Sequence, residues 1–453
     1  MKKLSRVFIL LFVFIYKPTF SNIIIEDDLE RALVSLYDYN PKLKYERELL
    51  KSKDELLPQA YSEFRPEIDG YYQKGKVDTN SQGFNITSDG IRTETSKGII
   101  ISQNIFDGGS SLSNIKVAKN EIFAQRYFLK NVEQEVFLEA IKLYADLATE
   151  LSNLKLKQKN VEVLQGQLSL TKEQFEIGDV TLTDVSIAEA RFSLAKSELL
   201  QSSNIINSLS AKFESFFGTL PEEPKIEIQI NKLPYEINNS KKMAEKNNPK
   251  INNVVFQIKS IENQMQSLQR KRLPSVKLEA EAKINQGYFR TDSKREVLSA
   301  FTKVDIPLYQ SGAASSKIRE FKKKSFALKE LLNQTKKEIE YNLVSEMSSF
   351  EYSLSRIKAY KKQIKSNKIF LDGLKQELQL GERTTLDLLD GEQELLKSEL
   401  DLVKAYRDFF VSYYGFIFYL GDLNAKKLNL PVTYFDENQN YDAVKKKWLD
   451  IIE

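Results

Sequence analysis

Two residue types are missing from this 453-residue chain: it has no cysteine and no histidine. Without cysteine there is no disulfide, no thiolate metal site and no lipid-bearing N-terminal Cys. Without histidine, Ser-His-Asp catalysis and imidazole-ligated metals are excluded too. Little of the usual catalytic repertoire remains, and no cofactor or metal is expected. Glycine and proline are sparse, at 17 and 11 residues, while 29% of residues are charged. That balance favours helix over a loop-rich β fold. Nor is there an excess of one charge. The formal net charge is +4, and Lys2, Lys3, Arg6 and Lys17 account for all of it, because residues 1–21 contain no acid. The remaining chain is neutral, so overall charge gives no support to a nucleic-acid role.

Long hydrophobic runs are missing as well. Val7 to Tyr16 is a ten-residue apolar run behind Lys2, Lys3 and Arg6, followed by Pro18 and by the small residues Thr19 and Ser21. This is the pattern of a signal peptide over residues 1–21, cleaved near Ser21. As a helix, ten residues span only about 15 Å of a ~30 Å hydrocarbon core. Phe409 to Leu420 is the nearest later candidate, but Ser412 and Gly415 interrupt it, and a buried helix end is expected there. An exported chain with no spanning helix would have to use strands to enter a membrane.

What is present is a duplication. Asn40-Pro41-Lys42 recurs as Asn248-Pro249-Lys250, and Pro66 as Pro274, at an offset of 208. Gly109, Gly178 and Gly218 recur as Gly312, Gly381 and Gly421 at an offset of 203. The offset changes once, between Pro66 and Gly109. A helix cannot lose five residues without rotating its apolar face, whereas a hairpin loop can. The sequence therefore divides into a first unit, 22–225, a second unit, 226–430, and a tail, 431–453. Each unit is expected to carry one β-hairpin, at about 66–108 and 274–309. The first loop is the longer, rich in turn residues from Asp78 to Gly83 and from Thr87 to Gly90. Asn85-Ile86-Thr87 within it has the form of a glycosylation sequon but is taken as loop.

In the second hairpin Val276, Leu278, Ala280, Ala282 and Ile284 alternate with Lys277, Glu279, Glu281, Lys283 and Asn285. On the return, Ala300, Thr302, Val304, Ile306 and Leu308 alternate with Phe301, Lys303 and Asp305. Period two with one apolar and one charged face suits a barrel strand between lipid and water. It also suits a half-buried hairpin of a soluble domain. The helices separate the two. Gly109 and Gly178 enclose 68 residues with no proline, about 100 Å as a single helix. Leu143, Leu147, Leu154, Val161, Leu164, Leu168 and Phe175 keep coiled-coil spacing, with Glu150 and Lys157 as polar interruptions. Long helices are thus expected over about 110–177 and 313–380, each followed by a tip turn, at 178–181 and 381–384. Two shorter helices should stack alongside each. Four strands per chain cannot close a barrel, for which about eight is the practical minimum. In a membrane, other copies must complete it.

The tip sequences carry a resemblance. Gly381-Glu382-Arg383-Thr384-Thr385-Leu386-Asp387-Leu388-Leu389-Asp390 resembles the second helical-hairpin tip of the TolC family of outer-membrane factors. Gly178-Asp179-Val180-Thr181-Leu182-Thr183-Asp184-Val185 is similar to the family's first tip. The resemblance spans about Glu26 to Leu430. It implies a mainly α chain with membrane β-hairpins, assembled as a homotrimer whose four strands per copy share one outer-membrane barrel above a periplasmic α-barrel. It further implies a conduit for efflux or type I secretion. The tips would dock a periplasmic adaptor, itself joined to an inner-membrane pump or ABC exporter, and Gly178, Asp179, Gly381 and Glu382 would lie at that contact. Asp387 and Asp390 would form the pore gate, with Arg383, Asp184 and Thr183 as a latch. Two positions depart from the family pattern: Leu378, where some members carry a latching Tyr, and Gly391, in place of a small helix former.

The residues themselves leave a second explanation open for the acids. Thr384 with Asp387, and Thr181 with Asp184, are capping-box patterns, and acids in a first turn favour the helix dipole. Asp390, one turn further in with no cap to make, is the leading gate candidate, and a ring of such carboxylates would attract cations. The alternative function is a soluble periplasmic coiled-coil adaptor or scaffold. That would explain the helices and the signal, but not matched alternating strands in both units. A hydrolase using Asp387 and Asp390 lacks a pocket, a nucleophile and a metal set. The cargo is not encoded in any motif, and the tail has no assignment beyond packing.

Overall fold

The computed structural model describes residues 27–79, 90–220, 224–226, 233–288 and 290–448. The signal segment, most of the first hairpin loop with its sequon, and the last five residues lie outside them. The first unit contributes α1 (Asp27–Tyr39), α2 (Pro41–Asp54), α3 (Leu56–Ser62), β1 (Glu67–Thr79), β2 (Gly90–Phe106), α4 (Ser110–Glu176) and α5 (Leu182–Phe217). There follow α6 (Ile237–Asn247), α7 (Pro249–Arg270), β3 (Ser275–Gln286), β4 (Lys294–Asp305), α8 (Ala313–Gln379), α9 (Thr385–Leu420) and α10 (Gln439–Val444). No described helix is long and apolar enough to cross a membrane.

The four strands form one antiparallel sheet in the order β1-β2-β3-β4, with both outer edges unpaired among the described residues. Ile101 sits opposite Ile68 and Ala280, and Ala280 opposite Ala300. Leu298 is likewise opposite Ala282, which is opposite Ile99. The alternating apolar residues therefore share one face, and none of the described residues covers it: Leu298 is 87% exposed and Ile68 66%. From Val276 to Ile284 the apolar stripe runs for about 26 Å of strand, near the height of a barrel's lipid-facing band. The opposite face is a polar network. Tyr71 donates its hydroxyl to Glu281 at 3.0 Å, Glu281 pairs with Lys283 at 2.8 Å, and Ser96 bonds Asn285 at 2.8 Å. One detail differs from expectation: β4 ends at Asp305, so Ile306 and Leu308 lie beyond it. Pro307, with no N–H to give a ladder, explains the stop.

Helices α4 and α8 have 67 residues each, about 100 Å at the usual rise. Asparagine splices the shorter helices beside them end to end. The Asn40 side-chain oxygen caps α2 by accepting from Lys42 and Leu43, while its amide donates to the Phe216 carbonyl at the end of α5. Asn248 does the same between α7 and α9, accepting from Lys250 at 2.9 Å and donating to Tyr419 at 3.0 Å. In each case one side chain satisfies orphan groups of two helix ends, and Pro41 or Pro249 fills the first helical position.

The main core lies where these splices meet the long helices. Phe137, Tyr144, Phe213, Phe217, Phe409, Phe410 and Tyr414 are buried there with Leu29, Leu33 and Leu36, so Phe409 to Leu420 is the buried helix end expected. Towards the tips Leu164 and Leu168 occupy the seam as expected, but Phe175 is 42% exposed, because the seam opens in the last turn of α4. Glu150 and Lys157, the polar interruptions, both meet the buried Ser202 of α5. After α9, Leu423, Ala425, Leu428 and Leu430 enter the core. Ala425 donates its N–H to Glu133 at 2.8 Å, Arg126 donates to Asn438 at 2.9 Å, and Asn440 to Asp54 at 2.9 Å. The tail thus straps the second unit's last helix to α2 and α4 of the first.

The sheet's register yields a direct test. In membrane-embedded protein, cysteines at Ala280, Ala282 or Ala300 should react slowly with water-soluble thiol reagents, and cysteines at Glu281 or Lys303 should react fast. The reverse pattern would invert the two faces.

Candidate functional site

The two coiled-coil hairpins, α4–α5 and α8–α9, end in matching tips, the end of the chain farthest from the sheet. Each long helix closes with a bond skipping back over the turn: Asp179 donates to Gln174 and Glu382 to Glu377, both at 2.9 Å. Gly178 and Gly381 hold φ of +83° and +76° in these turns, backbone that costs any residue with a Cβ. An added Cβ would meet nothing within 4 Å at either, so backbone conformation rather than space demands glycine. Asp179, Thr183 and Glu382 are exposed around the turns.

Both capping boxes are formed. In the second tip the Thr384 N–H and hydroxyl donate to one Asp387 oxygen at 3.0 and 2.8 Å, and the Asp387 N–H returns to the hydroxyl at 3.2 Å. In the first, Thr181 and Asp184 repeat this at 2.8, 2.7 and 3.3 Å. The Thr384 N–H, its hydroxyl and the nearby Arg383 charge hold Asp387 below the usual carboxylate range. The Thr181 hydroxyl and N–H do the same for Asp184.

The tip charges Arg383 and Asp390 find partners within the chain. Arg383 Nε donates to Glu377 at 2.8 Å, because the turn folds it back over the end of α8. Asp390, expected to have nothing local to bind, accepts from Arg191 of α5 at 2.9 Å. That contact crosses from one coiled coil to the other. The apolar cluster of Leu164, Ala195 and Leu389 brings α9 against α4 and α5, and so sets Asp390 beside Arg191. Two residues on, Glu392 is buried, and burial pushes its carboxyl up despite Lys375 nearby. Leu378 packs against Leu371, Leu374 and Leu388. A Cβ at Gly391 would lie 2.8 Å from a Leu374 methyl, so the glycine lets α9 approach α8 closely.

Arg191, Glu377 and Glu392 were not singled out from sequence. Arg191 has no counterpart in the repeat: 203 residues on stands Glu394, which accepts from Gln363 of its own hairpin. Only the packing of one hairpin on the other reveals its role. Among the described residues no group of acids could hold a metal ion.

Residues 35–209 and 242–412 match the family model described as Outer membrane efflux protein. The outer membrane efflux protein BepC of Brucella suis is 27% identical over 428 residues, covering 94% of this chain and 92% of that protein. The outer membrane protein TolC of Escherichia coli is 23% identical over 410 residues, covering 86% of this chain and 81% of that protein. The Campylobacter jejuni CmeC outer membrane channel superposes with a TM-score of 0.80 at 13% identity, over 93% of this chain and 89% of that one. At that identity the likeness is one of fold.

The caps make a measurable contribution at the tips. Thr384→Ala should cost the first turn of α9 about 1 kcal/mol, read as roughly fivefold faster amide exchange there. Because Asp387 titrates below its unfolded value, the cap is fully present above about pH 4 and is lost as pH falls through the lowered value. Exchange that is unchanged in the variant, or already fast at pH 6 in the parent, would contradict this.

Proposed function

The chain belongs to the outer membrane efflux protein family, and on that premise we propose that three copies form the outer-membrane channel of a tripartite efflux or type I secretion system. The observation carrying this is the four-stranded sheet with an uncovered apolar face and two free edges, joined end-on to ~100 Å helices. Strand number matters here. With four antiparallel strands, β4 runs opposite to β1, so β4 of one copy can pair antiparallel with β1 of the next and continue the same alternation around a ring. At least two copies are needed for about eight strands; the number three rests on the family resemblance. A soluble scaffold would leave Leu298, Ile68 and Tyr72 in water with no function.

In the assembled channel the sheets span the outer membrane and the helices line a tunnel through the periplasm. The tips lie deepest, presenting Gly178, Asp179, Gly381 and Glu382 to a periplasmic adaptor that joins an inner-membrane pump or exporter. The channel is a passive conduit; the choice of cargo belongs to the components it joins. The tips are its narrowest part, and Asp387 and Asp390 lie there as gate residues. They are not equivalent. Asp387 is committed to capping, while Asp390 is balanced by Arg191. Arg383, Asp184 and Thr183 remain candidates for contacts between neighbouring copies.

Charge arithmetic at the tip gives the test. In planar-bilayer recordings Asp390→Asn should lower cation preference, since it leaves Arg191 uncompensated near the bore. Arg191→Ala should raise it, and the double variant should return close to the parent, because the pair's net charge is restored. Asp387→Asn should chiefly loosen the tip. Selectivity indifferent to all three would remove Asp390 from the pore.

A further inference from the structure

The outward face of the sheet is apolar near the helices and changes character at its far end. Over the near part the outward positions are Ile68, Gly70 and Tyr72 on β1, Ile99 and Ile101 on β2, Val276 to Ala282 on β3 and Leu298 to Val304 on β4, alternate residues throughout. None carries a charge. Past Tyr72 the outward positions of β1 are Lys74, Lys76 and, at its end, Asp78, and Lys97 of β2 lies directly opposite Tyr72. Lys74 and Lys76 stand about 7 Å apart along the strand, and Lys97 is diagonal to Lys74 at about 7–8 Å.

Two observations set these lysines apart. Most other strand lysines have carboxylate partners: Lys283 with Glu281, Lys294 with Glu296, Lys303 with Asp305. Among the described residues Lys74, Lys76 and Lys97 have none, and all three are exposed. Directly beneath Lys97 the outward face is hollowed by Gly70 and Ala282 into a groove of about 810 Å³, walled by Tyr72, Ile99, Ile284 and Leu298, with Glu296, neutralised by Lys294, at its far edge. Cationic side chains reaching from an apolar band to the interface would be expected at both rims if hydration alone drew them there. Here the outward strand positions bear lysine at one rim only, the one far from the helices.

We propose that Lys74, Lys76 and Lys97, with the groove below them, form a binding surface for a phosphorylated glycolipid of the outer leaflet. This rests on the outer-membrane orientation argued above, which puts that rim in the outer leaflet. The ammonium groups take the headgroup phosphates, an acyl chain lies in the groove along Gly70 and Ala282, and Tyr72 sits at the boundary between them. The occupant follows from the combination of multiple unpaired cations with an apolar slot. A soluble anion would need only the first and a neutral lipid only the second.

The test is binding of lipopolysaccharide to the purified, detergent-solubilised channel, with dephosphorylated lipopolysaccharide and inorganic phosphate as separate arms. The triple variant Lys74→Gln/Lys76→Gln/Lys97→Gln should bind the intact lipid at least about tenfold more weakly, with single-channel conductance unchanged. Parent protein should bind the dephosphorylated lipid as weakly as the variant binds the intact one. Leu298→Trp, which fills the groove without touching charge, should also weaken binding. Equal binding by the parent and the triple variant, both conducting normally, would overturn the lipid site alone. Displacement of the lipid by equimolar inorganic phosphate would show a soluble-anion site and overturn it as well. A parent protein that does not conduct would count instead against the channel.

Discussion

A strand edge presents a row of backbone donors and acceptors, and in hydrocarbon no water can satisfy them. That constraint governs this molecule. Among the described residues its sheet has one face that is apolar and uncovered and two edges, β1 and β4, with no partner. Each feature alone would be a liability. In the proposed assembly they resolve each other: lipid covers the face, and neighbouring copies pair the edges. Even strand number lets the pairing stay antiparallel around a closed ring.

Closing the ring fixes what happens below it. Each hairpin hands its chain directly to a long helix, so copies arranged around a barrel hang their α4 and α8 helices as staves of a wall. The remaining staves are too short, and Asn40 and Asn248 join them end to end by capping α2 and α7 with the oxygen and the ends of α5 and α9 with the amide. The buried aromatic core at those junctions and the C-terminal strap hold the two units in register. At the tips the same duplication produces two similar turns with identical caps. They differ in charge: the first hairpin supplies Arg191, the second supplies Asp390 to meet it, and only the second carries the Arg383–Glu377 pair.

Much of this was legible in the sequence. Paired glycines at constant offset marked the helix ends, the one change of offset marked the hairpin, and period-two alternation gave the faces of β3 and β4. The capping boxes were legible because a cap is local: Thr384 and Asp387 are three residues apart and need nothing else. What stayed hidden was contact between elements distant in sequence. Arg191 and Asp390 are 199 residues apart, and neither matches the other across the repeat. The partner of Arg383 within the chain stayed hidden for the opposite reason. Glu377 is only six residues away, but the fold of the turn brings the two together. The extent of β4 was overestimated because alternation continues through Ile306 and Leu308 while Pro307 ends the ladder.

The claim that neighbouring copies pair β1 with β4 can be tested without reference to transport. Within one chain these strands are three spacings apart, about 14 Å, too far for a disulfide, which needs Cα atoms within about 7 Å. Gln73→Cys would be combined in turn with Val297→Cys, Ser299→Cys and Phe301→Cys in membranes, oxidised, and the products sized under denaturing conditions. The account predicts that at least one pairing yields covalent dimers and a closed trimer, and that each single-cysteine parent yields neither. Monomers alone at every pairing would contradict it.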